Sequence, residues 1–210
     1  MMFENETLKK FLEITAAPTP TPGGGSVSAY VAALGAALGS MTVSFSVGKP
    51  ELKDHEHRLK EAAKQLSERT ERLFSLVEED IRAYEAVTKA WTLPKNEAGQ
   101  KEHRRAELQK ALKYAMEVPL RGMRICLDVL KLHHELIGIS NPNLISDIGT
   151  GALLTEAALN GCKMNVLVNL GLIKEDNLIL QVRKEVDNLT SEAAMLKDGI
   201  MKKVLAPANK

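Results

Sequence analysis

The stretch LFSLVEEDIRAYEAV carries the side chain most open to chemistry. Leu73, Leu76, Val77, Tyr84 and Val87 recur at helical spacing and form one apolar stripe. Asp80 falls on that stripe, three residues beyond Val77 and four before Tyr84, whereas Glu78 and Glu79 fall mostly off it. A carboxylate on a core-facing stripe costs free energy unless it is paired or protonated. Burial raises its pKa, which suits a general acid. The alternative is a packing role, with the carboxylate held by Arg82 or by a neighbouring helix, and the stripe alone leaves both readings open.

Residues 18 to 28 read PTPTPGGGSVS. Gly23, Gly24 and Gly25 bring bare backbone N–H groups to the positive end of a following helix, and Ser26 and Ser28 add hydroxyls. Such an end can hold a carboxylate or a phosphate. The stretch lacks the GK[ST] ending of a Walker A loop and the preceding strand of a dinucleotide fold. Taken by itself it favours a flexible turn that needs positive φ, followed by close helix packing through Ala29, Ala32, Ala33, Gly35, Ala36 and Gly39. Further along, Asn165 and Asn169 stand at i and i+4, so two amides share a face. They suit either the hydrogen-bonding edge of a heterocycle or a polar contact between helices, the second being the commoner use.

Metal and nucleophile patterns are weak. His55 and His57 are two residues apart and diverge on a helix. His133-His134-Glu135 starts like HExxH, but Gly138 stands where the second ligand would be. Cys126 and Cys162 lie in apolar stretches with no CxxC spacing and no local partner. No metal site is expected.

Helical periodicity dominates the elements that must position these residues. Helices are expected over about 5–16, from Gly25 or Ser26 to about Val47, from Leu52 to Ala90, and over 101–117, where Pro119 stops or kinks the chain. Others follow to about Gly138, over 147–170 with Ser146 or Asp147 as N-cap, and over 175–204. The sum is an all-α bundle of six or seven helices in one domain, residues 1–210, whose long helices suit a homodimer. With 210 residues and 44% hydrophobic content the chain can bury a real core. Aromatics are only 4%, so aliphatic side chains and methionine must fill it. A net charge of +1 with interspersed signs argues against nucleic-acid binding by bulk phosphate neutralisation. The N-terminus lacks a signal-peptide pattern, and the stretch 26–47 is too rich in Ala, Gly and Ser for a convincing membrane span, so a soluble cytoplasmic protein is expected.

The blocks PTPGGGSVSAYVAALGAAL, GKPEL, EEDIRAYEAV, LPK, VPL and SDIGTGALLTEAALNGCKMNVLVNL occur in that order. Together they resemble the cyclodeaminase domain of formiminotransferase-cyclodeaminase, with its bacterial relatives the methenyltetrahydrofolate cyclohydrolases and serine-cycle enzymes. The resemblance runs from about residue 5 to 200 and lacks the formiminotransferase half, which implies the stand-alone deaminase form. It implies an all-helical homodimer acting on a tetrahydrofolate derivative, polyglutamylated forms included. No metal and no cofactor beyond that substrate are implied. The family reaction closes 5-formiminotetrahydrofolate to 5,10-methenyltetrahydrofolate and releases ammonia, a step in histidine degradation.

The family's acidic catalytic residue lies in D-x-R-A-[FY], here DIRAY, which gives Asp80 the role of proton donor to the leaving amine. Gly23, Gly24, Gly25, Ser26, Lys49, Asp147, Asn165 and Asn169 lie in the other matching blocks and are expected in the substrate pocket. The Gly23–Ser26 end would hold a glutamate carboxylate or line the pterin. Lys49 would meet a polyglutamate carboxylate, or else is a solvated loop lysine. A cyclohydrolase converting methenyl- to 10-formyltetrahydrofolate is the nearest rival. A folate-binding or scaffold protein without turnover is a more distant one, and Asp80 on an apolar stripe argues against it.

Overall fold

The computed structural model describes residues 3–206. Among these residues six α-helices carry the fold and no strand occurs: α1 (Leu8–Thr15), α2 (Gly24–Ser44), α3 (Glu56–Thr92), α4 (Ala98–Ile139), α5 (Ile145–Leu170) and α6 (Asp176–Val204). The all-α bundle expected from periodicity is what forms. In the ring α2, α3, α4, α5, each helix packs against the next and α5 closes back on α2. Helix α6 lies against α4 and α5. Helices α3 and α4 run antiparallel, as their ion pairs show: Arg58 meets Glu135, Arg69 meets Asp128 at 3.3 Å, and Arg121 meets Glu79 at 2.6 Å.

Pro119 does not stop the helix. It is buried inside α4, which runs unbroken past it. A helical proline removes the N–H that would reach the carbonyl four residues back, here that of Ala115. Asn169 supplies the missing donor, its Nδ2 reaching the Ala115 carbonyl at 3.1 Å from α5. This merging gives six helices rather than seven. Helix α5 also starts earlier than expected. The 3-10 turn Pro142–Leu144 feeds directly into it, and Leu144 stands at the N-cap position with no side-chain cap. Asp147 therefore sits in the first turn and Ser146 beside it, rather than either at the cap; an acidic group there still complements the helix dipole.

Helix α2 is long and apolar enough to cross a bilayer by length and composition. Here its Ala29, Ala32, Ala33 and Ala36 are buried in the bundle core. Close approach of α2 to α5 explains the small residues. A Cβ on Gly35 would come within 2.9 Å of the Gly151 carbonyl, so only glycine fits.

The helices differ in reach. Helix α2 begins level with Asp80, since Ser26 bonds to it, and α5 ends near Ala115. The C-terminal part of α3 and the start of α4 run on together past both, as an arm roughly 20 Å long at 1.5 Å per residue.

Candidate active site

Asp80 projects from the apolar face of α3 into the first turn of α2. Ser26 Oγ donates to Asp80 Oδ2 at 2.8 Å and lies 3.3 Å from the Val77 carbonyl. Gly23, the N-cap of α2, has no side chain to offer, and the first turn of α2 holds no acidic residue. Asp80 fills that role from another helix. Neither Arg82 nor any other cation pairs with it among the described residues. Burial pushes its carboxyl above the ordinary value of 3.8, and the side-chain and backbone hydrogen bonds from Ser26 only partly oppose this. The result is a carboxyl with a raised proton affinity within an apolar stripe.

The glycines serve this contact. None of Gly23, Gly24 and Gly25 has positive φ; among the described residues only Gly48 does. A turn requiring φ > 0 is therefore not their reason. A Cβ on Gly25 would stand 2.7 Å from the Asp80 carboxyl carbon, so Gly25 is where the carboxyl meets bare backbone. Gly24 faces Asn165 instead, whose Nδ2 would lie 3.6 Å from a Cβ there.

Asn165 and Asn169 stand on the same side of α5, next to this turn. Asn165 Nδ2 donates to the Gly161 carbonyl at 2.9 Å, and Asn169 Nδ2 to the Asn165 and Ala115 carbonyls. Their amide N–H groups are thus engaged in the fold, Asn169 by the gap that Pro119 leaves. Their oxygens are the groups that could serve a ligand.

The chain brings Asp80, Gly23, Gly24, Gly25, Ser26, Asn165 and Asn169 to one end of the bundle. Lys49 and Asp147 stand at the opposite end. Lys49 follows the far end of α2, about 30 Å along its axis, and pairs with Glu51 at 3.9 Å. Asp147 lies in the first turn of α5, whose last turns hold the asparagines.

Three residues make contacts at the site that sequence reasoning did not show. Ser28 donates to the Gly24 carbonyl at 2.7 Å and so fixes the turn. Cys162 lies close enough to Asp80 to feel its charge. Burial, with Asp80 adding to it, pushes the thiol up to about 12, so it stays protonated and is no nucleophile. Glu79, next to Asp80, accepts from Arg72 and Arg121, each at 2.6 Å. Burial would raise its pKa, but the two guanidiniums outweigh that and hold it below the usual range. Adjacent carboxylates are thus set apart, one ionised and one with a raised pKa, and no spacing rule in the sequence shows a cross-helix partner such as Arg121.

A groove runs beside the site between Pro20, Thr21 and Tyr84. A larger one, lined by Ala86, Leu93, His103 and Tyr114, opens between α3 and α4 and does not include Asp80.

Comparison with known proteins places this arrangement. The family model described as formiminotransferase-cyclodeaminase matches residues 7–188. A methenyltetrahydrofolate cyclohydrolase of Methylorubrum extorquens is 35% identical over 99% of this chain and 100% of its own length. The formimidoyltransferase-cyclodeaminase of Sus scrofa is 32% identical over 90% of this chain, which spans only 35% of that longer protein. The crystal structure of a formiminotetrahydrofolate cyclodeaminase from Thermotoga maritima superposes with a TM-score of 0.87 at 30% identity, covering 96% of both chains. With its family model matched over most of its length and a relative of the same extent, the chain belongs to the formiminotransferase-cyclodeaminase family.

Proposed function

We propose that the protein is a folate enzyme working on the one-carbon unit between N5 and N10, as a formimidoyltetrahydrofolate cyclodeaminase. The observation that carries this reading is the half-buried Asp80 carboxyl, raised in pKa and held by Ser26 and the bare backbone of Gly25. In this reaction the formimino group enters protonated, as N5–CH=NH2+; N10 attacks its carbon, a C–N10 bond forms and the C=N bond becomes single. The tetrahedral carbon then carries N5, N10 and an amino group. Asp80 gives its proton to that amino group, the N5 lone pair re-forms a C–N double bond, and ammonia leaves. The carboxylate regains a proton as N10 loses its own. The rest of the site orients the two ring systems so that the attack stays intramolecular.

The cyclohydrolase reading keeps the same residues. It is favoured by the cyclohydrolase of Methylorubrum extorquens that matches the chain from end to end. There water adds to the methenyl carbon, and Asp80 serves the proton transfers that open the C–N5 bond. Both readings use a tetrahydrofolate derivative as partner and fit a homodimer in the cytoplasm.

The deciding experiment supplies purified protein with 5-formiminotetrahydrofolate and follows the methenyl chromophore and ammonia together. Appearance of both supports the cyclodeaminase. Decay of supplied methenyltetrahydrofolate, with no ammonia from the formimino compound, supports the cyclohydrolase. No change in either assay overturns both.

A further inference from the structure

The apolar stripe of α3 does not end at Asp80. Below it, Leu73, Leu76 and Val77 are at most 1% exposed. Above it, Tyr84, Val87 and Trp91 continue on the same face, at four, seven and eleven residues from Asp80. Here the stripe comes out of the core, and Tyr84 is 45% and Trp91 51% exposed. The change comes where α2 begins, so the arm carries a core-type face with no third helix over it. Aromatic side chains in such a row offer flat surface to a ring system.

The outer end of this row holds a fixed cation. Arg104, from the start of α4, sits 5.5 Å from the centroid of the Trp91 ring. Its Nε and Nη2 donate to the Trp91 carbonyl at 3.2 and 3.1 Å. It has no carboxylate partner among the described residues. A guanidinium already oriented by a ring and a carbonyl, with its remaining N–H groups free, is prepared for a carboxylate.

Resting on the folate reading, we propose that the benzoylglutamate tail of the substrate runs up the arm over Tyr84 and Val87 and sets its carboxylates on Arg104 beside Trp91. From Asp80 to Trp91 the helix rises about 16 Å. The γ-carboxylate of a glutamate lies on the order of 12 Å beyond N10 at ordinary covalent lengths. With N10 about 3 Å up the arm from the Asp80 carboxyl, one hydrogen-bond length, that carboxylate comes within reach of Arg104. This replaces the Gly23–Ser26 turn and Lys49 as the tail's anchor. The turn is occupied by Asp80, and Lys49 lies at the far end of the bundle.

The test is equilibrium binding of two ligands, 5-formyltetrahydrofolate and its pteroate counterpart without the glutamate, to wild type, Arg104→Gln and Trp91→Ala. Wild type is expected to bind the glutamate-bearing ligand about tenfold more tightly, an advantage that shrinks at high salt because the pair is partly exposed. Arg104→Gln should abolish that difference while leaving affinity for the pteroate compound within about twofold, and Trp91→Ala should reduce it. Retention of the full difference in Arg104→Gln overturns the tail assignment and leaves the folate reading standing. Equal weakening of both ligands, with a smaller species in sedimentation, also overturns it and marks the arm as a contact between copies of the chain. Failure of wild type to bind either ligand overturns the folate reading and the tail assignment with it.

Discussion

The Asp80 carboxyl carbon lies 2.7 Å from the position a Cβ would take on Gly25, so these two residues cannot both carry side chains there without displacement. Gly25→Ala should push the carboxyl away from Ser26 and strain the α2–α3 contact. We expect a stability loss of about 1–3 kcal/mol, typical of overpacking, and a fall in kcat of at least about 10²-fold as the proton donor is misplaced. Thermal melts and steady-state kinetics check this together. Near-normal kcat would mean that the contact does not position Asp80.

Asp80 itself should set a pH dependence of stability. Its pKa is raised in the folded protein by burial, so the native state holds the proton more tightly than the unfolded chain. Stability is therefore lost as pH rises from its ordinary value of 3.8 through the raised one, and stays reduced above. Asp80→Asn lacks this loss. Its melting temperature relative to wild type should climb between pH 4 and pH 8. A difference constant across that range would contradict the raised proton affinity of Asp80.

Ser26→Ala removes a hydrogen bond that favours the charged carboxylate. The Asp80 pKa should rise further. A reaction that needs the protonated form then keeps its rate to higher pH, so the alkaline limb of the kcat profile should move upward. An upward shift of the acid limb instead would assign Asp80 the role of a base.

His133 gives a separate test of the core. It is fully buried between α2 and α5, close to Gly39 and Gly151, and neither ring nitrogen makes a hydrogen bond. Burial lowers its pKa from 6.5 to about 4, the nearby Gly35 carbonyl opposing this only in part. The unfolded chain takes up a proton first, so stability should fall as pH drops from about 6.5 towards 4. His133→Leu should flatten that part of the curve, read as melting temperature against pH.

Residue patterns carried the helices and the central acid because both depend on local spacing. The stripe through Leu73, Val77 and Tyr84 pointed to Asp80, and the structure puts Asp80 at that helix face with no cation beside it. Spacing did not show the groups that meet it from other helices. Gly25 and Ser26 lie more than fifty residues away, and Cys162 more than eighty. Pro119 misled for the same reason. Its helix-breaking effect is local, whereas the Asn169 amide that compensates for it comes from α5. Lys49 and Asp147 were grouped with the site because their sequence blocks match the family, but antiparallel helices carry those blocks to the other end of the bundle.

The central claim is that Asp80 delivers the proton on which turnover depends. The most direct measurement is the rate of methenyl formation from 5-formiminotetrahydrofolate by Asp80→Asn, beside wild type, with circular dichroism confirming the fold. The account predicts a loss of about 10²- to 10⁴-fold in kcat in a folded protein that still binds folate. A folded Asp80→Asn with near-wild-type turnover would contradict it.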